Sequence, residues 1–192
     1  KATQLLAIWI AETLEDQYMF RALSGDTTLS FGQAQTAPTR SIYGGGKVSD
    51  ATITTADTFD LTLIDKAVTT AVLATPKIRP VLINGDYYFI CVLSPKQVRD
   101  MRTNITSGQW LDIQKAISER GIDRSPIARG SLGMYNQTLL YSHEFVQTYA
   151  NWGAGANVVG ARALFCGAQS AVVAYKESAP SYVEKSFDYS NQ

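Results

Sequence analysis

Residues 77–102, KIRPVLINGDYYFICVLSPKQVRDMR, are the stretch that decides the fold. Two runs rich in β-branched and aromatic residues, 78–83 and 87–93, lie on either side of Asn84-Gly85. Runs of this composition favour strands, and Asn-Gly supplies the positive φ angles that a tight turn requires. The stretch therefore predicts a β-hairpin.

A helix start follows the hairpin directly. Ser94 and Gln97 have the spacing of a capping box, in which each side chain binds the backbone N–H group of the other residue. Pro95 occupies the first helical position, where a backbone N–H group is not needed. The pattern predicts a short helix that ends near Arg102, so the local unit is strand, turn, strand and helix.

Three more stretches have helical periodicity. In residues 2–23 the apolar side chains share one broad face, which comprises Leu5, Leu6, Trp9, Ile10, Leu14 and Tyr18. Residues 60–74 form a second helix, with Asp57 or Thr58 available to cap its start. Its apolar stripe consists of Leu61, Ile64, Val68 and Val72. Residues 109–120 form the third helix.

The remaining segments alternate between strands and loops. Strands are expected at 138–146, 163–166 and 171–175. Long irregular loops are expected at 26–57 and 151–160, where small and polar residues dominate. Because helices and strands do not follow strict βαβ alternation, the sequence predicts a mixed α+β fold.

The composition indicates a folded protein with few charges. The 192 residues are 45% hydrophobic but only 18% charged, against roughly 25% in an average domain. Charge depletion is one feature of surfaces buried between subunits, although a neutral polar surface is the simpler explanation. Basic and acidic residues number 17 each, so no large duplex-DNA footprint is expected, and contact with nucleic acid should be weak, local or collective.

Three features of the sequence concern the cellular compartment of the protein. Cys91 and Cys166 lie far apart in apolar runs, which is typical of buried core residues and not of a zinc or redox motif. No run of 18 apolar residues is available for a membrane span. The chain shows neither a signal peptide nor an initiating Met, so we expect it to be part of a longer polypeptide, with a processed mature chain as the alternative.

The sequence contains few candidates for catalytic residues. His143 is the single histidine, and its neighbour Glu144 would point to the opposite face of the predicted strand. Gly44-Gly45-Gly46-Lys47 lacks the first Gly and the final Ser or Thr of a phosphate-binding loop. The acidic residues near the second helix are interpreted as helix caps instead of metal ligands, and they are Asp57, Asp60 and Asp65. We therefore predict no catalytic, cofactor-binding or metal-binding residues.

Seven motifs stand in a fixed order along the chain: KIRP at 77–80, GDYY at 85–88, SPKQVRDMR at 94–102, WLDIQKA at 110–116, GSLGMYN at 130–136, RALFCGAQ at 162–169 and FDYSNQ at 187–192. In order and spacing they resemble the major capsid proteins of tailed bacteriophages, of the enterobacterial phage N-four type. The resemblance covers nearly all of the chain and is densest between residues 59 and 169. Family members often carry a His near the position of Ser94 and a Gly near that of Gln137.

The resemblance implies the Hong Kong 97-like capsid fold, with a spine helix, a peripheral domain and an axial domain. Residues 1–58 would form the spine helix and an extended loop of the peripheral domain. Residues 59–136 would be mostly the axial domain, which meets its copies at the capsomer centre. Residues 137–192 would return to the peripheral domain.

The resemblance also implies a function. The protein would be a structural subunit, not an enzyme, that self-assembles into hexamers and pentamers of an icosahedral phage head enclosing double-stranded DNA. Its partners would be its own copies, possible scaffolding, portal or cement proteins, and packaged DNA through weak non-specific contact. It would be assembled in the bacterial host cytoplasm and reside in the virion, with no cofactor and no membrane.

Two alternatives stay open at this point. One is an α+β enzyme whose catalytic residues lie outside this stretch of chain. The other is an encapsulin-like compartment shell protein of the same fold, because a fold does not fix a function.

Overall fold

The structure is a computed structural model that describes most of the chain. The described residues are 2–13, 20–24, 41–83, 85–104, 110 and 131–170. The helices are α1 (Ala2–Thr13), α2 (Ala22–Ser24), α3 (Leu61–Leu73) and α4 (Pro95–Thr103). The strands are β1 (Val81–Ile83), β2 (Asp86–Leu93), β3 (Gly133–Tyr135), β4 (Thr138–Ser142), β5 (Thr148–Trp152), β6 (Val158–Ala161) and β7 (Leu164–Cys166).

Strand β2 is the centre of a five-stranded sheet and has neighbours along both edges. On one edge β1 pairs antiparallel with its first half, and β7 pairs antiparallel with its second half. On the other edge β4 runs parallel to β2, and β3 continues the sheet antiparallel to β4. The predicted hairpin of β1 and β2 is confirmed, with Gly85 in the turn at a φ of 95°.

Alternate residues of β2 enter two different cores. Phe89, Cys91 and Leu93 are buried on one face. The larger core lies on this face, between the sheet and the helices α3 and α4, and its buried members are Leu61, Ile64, Cys91, Leu93, Val98, Met101, Trp110 and Leu140. Val92 packs on the other face against a smaller cluster, which comprises Phe20, Val146 and Leu164. Because both faces are covered, β2 is a continuous apolar run instead of an alternating one.

The start of α3 confirms one of the acidic residues interpreted as caps. Asp57 or Thr58 was expected to cap this helix, but the N-cap residue is Asp60, whose carboxylate accepts a hydrogen bond from the Leu63 N–H group at 3.2 Å. Asp60 has the extended backbone of an N-cap residue, directly before the first helical residue. Asp57 instead accepts two hydrogen bonds from Thr54, which hold it in the preceding turn.

The apolar stripe of α3 is confirmed at its start and wrong at its end. Leu61 and Ile64 are buried, and Val68 packs against the core. Val72 is exposed, and Ala71 is buried in its place. The Ile78 N–H group donates to the Ala71 carbonyl, so the chain folds back over this side of the helix. A small side chain fits there, where the returning backbone approaches.

The capping box of α4 is confirmed, and it has a further function. The Gln97 side-chain oxygen accepts from the Ser94 N–H group at 3.0 Å, and the Ser94 hydroxyl accepts from the Gln97 N–H group at 3.4 Å. The Gln97 amide nitrogen donates to the Ala161 carbonyl at 3.1 Å. Gln97 therefore ties the start of α4 to the connection between β6 and β7.

The chain after β4 contains more strand than predicted. The strand expected at 138–146 ends at Ser142, because the chain turns at 143–146, where the Val146 N–H group bonds to the His143 carbonyl. The loop expected at 151–160 is confirmed only over 153–157, since residues on either side belong to β5 and β6, which form an antiparallel hairpin that ends at Ala161. Gly160 was interpreted as a loop residue, but it lies in β6 under the Trp152 ring, where a Cβ atom would collide with the indole.

Several predictions lie outside the described residues. These are Asn84, residues 14–19 of the first predicted helix, the third helix except for the buried helical residue Trp110, residues 26–40 of the long loop, and the strand at 171–175. Residues 41–57 are irregular as predicted and contain two 3-10 turns, at Gly44–Gly46 and Asp50–Thr52. The strand expected at 163–166 is confirmed as β7.

The turn between β3 and β4 holds two residues in left-handed backbone conformations. Tyr135 and Thr138 are paired, and Asn136 and Gln137 between them have φ values of 42° and 57°. Asn tolerates this conformation, but Gln does so at a cost. Asp65 of α3, interpreted from the sequence as a helix cap, binds this turn instead: it accepts from the Tyr135 hydroxyl at 3.0 Å and from the Asn136 amide at 2.8 Å.

We expect Gln137→Gly to raise the free energy of unfolding by about 0.5–1 kcal/mol, because glycine adopts a left-handed conformation without a Cβ penalty. Chemical denaturation of the two proteins would measure the change. Asn136→Gly is the matched control, and it should not stabilise, because it removes the hydrogen bond to Asp65. Equal stabilisation by both substitutions would show that backbone strain at 137 is not the cause.

Candidate functional site

The single histidine has a structural environment. His143 follows the end of β4, so the predicted strand position is wrong. Its ring stacks on Phe20 with 4.6 Å between ring centroids, and its Nδ1 atom accepts from the Phe145 N–H group at 3.2 Å. These contacts join the segment before α2 to the sheet. The imidazole ring of His143 thus serves as a packing surface and as a local hydrogen-bond acceptor.

The glycine triplet packs against a carboxylate instead of a phosphate. Gly45 has a φ of 59°, and a Cβ atom there would collide with the carboxylate of Asp57. Lys47 lies 4.0 Å from the same carboxylate. The hydrogen bonds from Thr54 hold the pKa of Asp57 below its ordinary value, with a smaller contribution from Lys47. The segment Gly44–Gly46 is therefore a tight turn built around Asp57, and glycine is required for the close approach.

The two cysteines lie in neighbouring strands but on opposite faces of the sheet. Cys91 is paired with Phe165, and Cys166 is paired with Ile90. Burial raises the pKa of Cys91 to about 12, and burial also raises the pKa of Cys166. A thiol with a raised pKa is a poor nucleophile and a poor metal ligand at neutral pH. Both cysteines therefore act as core residues, as predicted.

A cleft of about 800 Å³ lies between α3, β7 and the segment before α3. Asp57, Cys91 and Cys166 line it, and these are the groups with shifted pKa values that an enzyme would use. The lowered pKa makes the Asp57 carboxylate a weaker base, and the raised pKa values keep both thiols protonated at neutral pH. In the part of the chain that is described, no three His, Cys, Asp or Glu residues come together as a metal site.

Arg162 is the main polar contact between distant segments. Its guanidinium donates to the Ser24 carbonyl at 2.8 Å and forms an ion pair with Asp50. The same group lies over the rings of Tyr149 and Trp152, at 4.8 and 5.8 Å from their centroids. Arg162 therefore holds α2, the second 3-10 turn and the hairpin of β5 and β6 together.

Further bonds surround this contact. The hydroxyl groups of Ser24 and Tyr149 share a hydrogen bond at 3.3 Å, and the Gly153 N–H group donates to the Asp50 carbonyl at 2.9 Å. Tyr149 and Trp152 stack with an interplanar angle of 10°. No local sequence pattern identifies Arg162 as important, because Asp50 lies 112 positions away.

Helix α1 carries an apolar surface that the described residues leave open. Leu5, Leu6, Ile8, Trp9 and Ile10 are 44–68% exposed. At about 100° of rotation per residue, these five side chains cover roughly 200° of the helix circumference. A helix that is apolar over so wide an arc is normally buried between other elements. The surface is therefore a candidate contact for another subunit or another part of the protein.

The far end of the β1–β2 hairpin is a second exposed apolar surface. Leu82 and Tyr87 form a cross-strand pair, and each is 59% exposed. Within the described residues, no helix has both the length and the apolar character of a transmembrane span. Exposed apolar groups of this kind in a protein of low charge indicate contacts with other proteins.

These features describe an α+β protein with exposed apolar surfaces that suit association. Residues 27–192 match the family of phage capsid proteins, and the chain belongs to this family. It is similar to the capsid of Ralstonia phage GP4, with 30% identity and a TM-score of 0.67 over 82% of this chain and 48% of that chain. It also resembles the capsid of cyanophage Pam1, with 18% identity and a TM-score of 0.55 over 81% of this chain and 50% of that chain.

The α+β, Hong Kong 97-like class is confirmed, and a phage capsid protein is favoured over an enzyme and over an encapsulin-like shell protein. The chain spans about half the length of the capsid chains it matches. A search of curated proteins gave no match.

We expect Arg162→Lys to lower the free energy of unfolding by about 1–3 kcal/mol, because a lysine cannot bind Ser24 and Asp50 in a fork and also stack on the aromatic rings. Thermal and chemical denaturation would measure the loss. Arg99→Lys is the control, because Arg99 is 73% exposed and its ion pair with Asp100 contributes little. Similar losses in both variants would contradict a special role for Arg162.

We expect the protein to lose stability as the pH rises above about 9. The thiol of Cys91 has an ordinary pKa of 9.0 when unfolded and about 12 when folded, so its contribution to stability is complete below pH 9 and is lost as the pH approaches 12. Tyr135, whose pKa is raised by burial and by Asp65, adds to the loss.

The variant Cys91→Ala isolates the contribution of the thiol. Denaturant melts between pH 7 and 11 should show a lower stability throughout, because a buried sulfur is removed, but a flatter decline above pH 9. The half-buried Cys166 is the matched control, and Cys166→Ala should flatten the decline less. An unchanged slope in Cys91→Ala would exclude the buried thiol as a source of alkaline sensitivity.

Proposed function

We propose that the protein is a major capsid subunit that self-assembles into hexamers and pentamers of an icosahedral phage head around double-stranded DNA. The similarity to the capsid of Ralstonia phage GP4 carries this proposal, because it joins sequence identity to a shared fold over most of the chain. Membership of the phage capsid family supports a place in the virion. The protein acts as a structural component and not as a catalyst.

We propose further that the chain divides into the two domains implied by the capsid resemblance, with residues 59–136 mostly axial and residues 1–58 and 137–192 peripheral. The two cores support this division. Seven of the eight buried residues of the larger core lie in the proposed axial range, from Leu61 to Trp110. The buried members of the smaller cluster and the Arg162 contacts join residues 20–50 to residues 146–164, which are far apart in sequence.

The surface chemistry supports self-association. The wide apolar arc of α1 requires a covering partner, and the Leu82 and Tyr87 pair offers a second contact at the end of the proposed axial range. The equal numbers of acidic and basic residues limit repulsion among many closely packed copies. Contacts that close a ring are heterologous, so a subunit needs two different surfaces, and the chain offers two. Scaffolding, portal or cement proteins would be further partners during assembly in the host cytoplasm.

Negative-stain electron microscopy of the full-length protein after size-exclusion chromatography tests the proposal. We expect rings of five or six subunits or closed shells. A protein that stays monomeric at high concentration and forms no particles would contradict self-assembly.

A variant tests the role of α1. Trp9→Glu places a charge in the apolar arc and should reduce the yield of rings or shells at least tenfold, because an unpaired charge in a buried contact is strongly unfavourable. Val48→Glu is the control, because Val48 is 82% exposed and lies outside α1. Normal particles from Trp9→Glu would show that α1 does not mediate assembly.

A further inference from the structure

Helix α4 presents a basic face to solvent. Lys96, Arg99 and Arg102 lie one turn apart along the helix, and all three are exposed. The opposite face is anchored in the core through Gln97, Val98 and Met101. The charge is local, because the whole chain has equal numbers of acidic and basic residues. The single acidic residue of the helix, Asp100, offsets only part of it.

The helix holds these cations in place. The reciprocal capping box and the buried Ser94 fix the start of α4. The Arg102 guanidinium lies 5.5 Å from the centroid of the buried Trp110 ring, a contact that positions the charge without neutralising it. Arg99 forms an exposed ion pair with Asp100, which contributes little and leaves most of the five guanidinium N–H donors available.

The face lacks the apolar centre that a protein contact needs. The core of a protein interface is depleted of charge and enriched in aromatic and apolar residues. In the described residues the large exposed apolar side chains lie on α1, on the β1–β2 hairpin and at scattered positions, and none lies on α4. A row of cations without apolar neighbours fits a polyanion better than it fits another protein surface.

We propose that the exposed face of α4 binds the phosphate backbone of DNA. This proposal rests on the proposed function, in which the head encloses DNA, and identifies the protein surface that contacts the DNA. The three cations span about 9 Å along the helix axis, which is the scale of a few successive phosphates. One copy would bind weakly and without sequence preference, because phosphate contacts carry no base information. Many copies in one shell would add their contacts.

The test is the salt dependence of DNA binding by the full-length protein before assembly. Fluorescence anisotropy with a short duplex of mixed sequence gives the observed binding constant at several salt concentrations. A plot of log binding constant against log salt concentration has a negative slope. The triple variant Lys96→Gln, Arg99→Gln, Arg102→Gln should make this slope shallower by about 2–3, because each lost phosphate contact removes roughly 0.9 from its magnitude. The wild-type protein should bind duplexes of different sequence equally.

The matched control removes the same charge elsewhere. Lys66, Lys77 and Arg79 are exposed and lie outside α4, so the triple variant Lys66→Gln, Lys77→Gln, Arg79→Gln should keep most of the wild-type slope. An equal fall in both variants would overturn the proposal, because net charge would then explain the binding. Loss of rings or shells in the α4 variant with unchanged DNA binding would also overturn it, and would make this face a subunit contact.

Electron microscopy of the same samples separates this inference from the proposed function. Wild-type protein that forms no rings or shells would contradict the proposed function whatever it does with DNA. Shells from the wild type together with an unchanged slope in the α4 variant would reject only the role of α4. Melting temperatures close to that of the wild type should accompany both triple variants, since all six positions are exposed.

Discussion

The structure depends on strand β2, which is covered on both faces and paired along both edges. Its neighbours β1, β4 and β7 come from three separate parts of the chain, and its side chains enter both cores. Helices α3 and α4 pack against one face, and the segment around Phe20 packs against the other. Strand β2 therefore connects the larger core, the smaller cluster and the sheet, and the Gln97 bond ties α4 to the end of β6.

What could be predicted from the sequence was local. The hairpin around Gly85 and the capping box of Ser94 and Gln97 depend on residues within a few positions of one another, and both are confirmed. The errors arose where a contact from outside the helix or strand decided the outcome. Ala71 replaces Val72 because the chain returns at Ile78, and Gly160 lies in a strand because Trp152 covers it. Glycine is typical both of loops and of positions where another residue approaches the backbone closely. Only the contacting residue, here Trp152, distinguishes the two cases.

The contacts that organise the candidate functional surfaces were harder to predict. Arg162 joins Ser24, Asp50 and two aromatic rings, but these partners are spread over more than a hundred residues, and no periodicity relates them. The absence of catalytic motifs was a weak guide to a structural role, and the family resemblance was the stronger one. Apolar spacing in the first helix predicted a shared face. The arc that α1 actually leaves open is wider, because Ile8 adds to it.

The order of the strands in the chain has a consequence for synthesis on the ribosome. The hairpin and α4 can form as soon as they emerge, because their contacts are local. Strand β2 ends at Leu93, and β7, which completes its second edge, starts about 70 residues later at Leu164. Translation adds roughly 5–20 residues per second, so this edge of β2 stays unpaired for several seconds. Nascent chains would be exposed to mispairing during that interval, so slow or crowded translation should favour aggregation over folding, and binding by a chaperone would matter most before β4 and β7 appear.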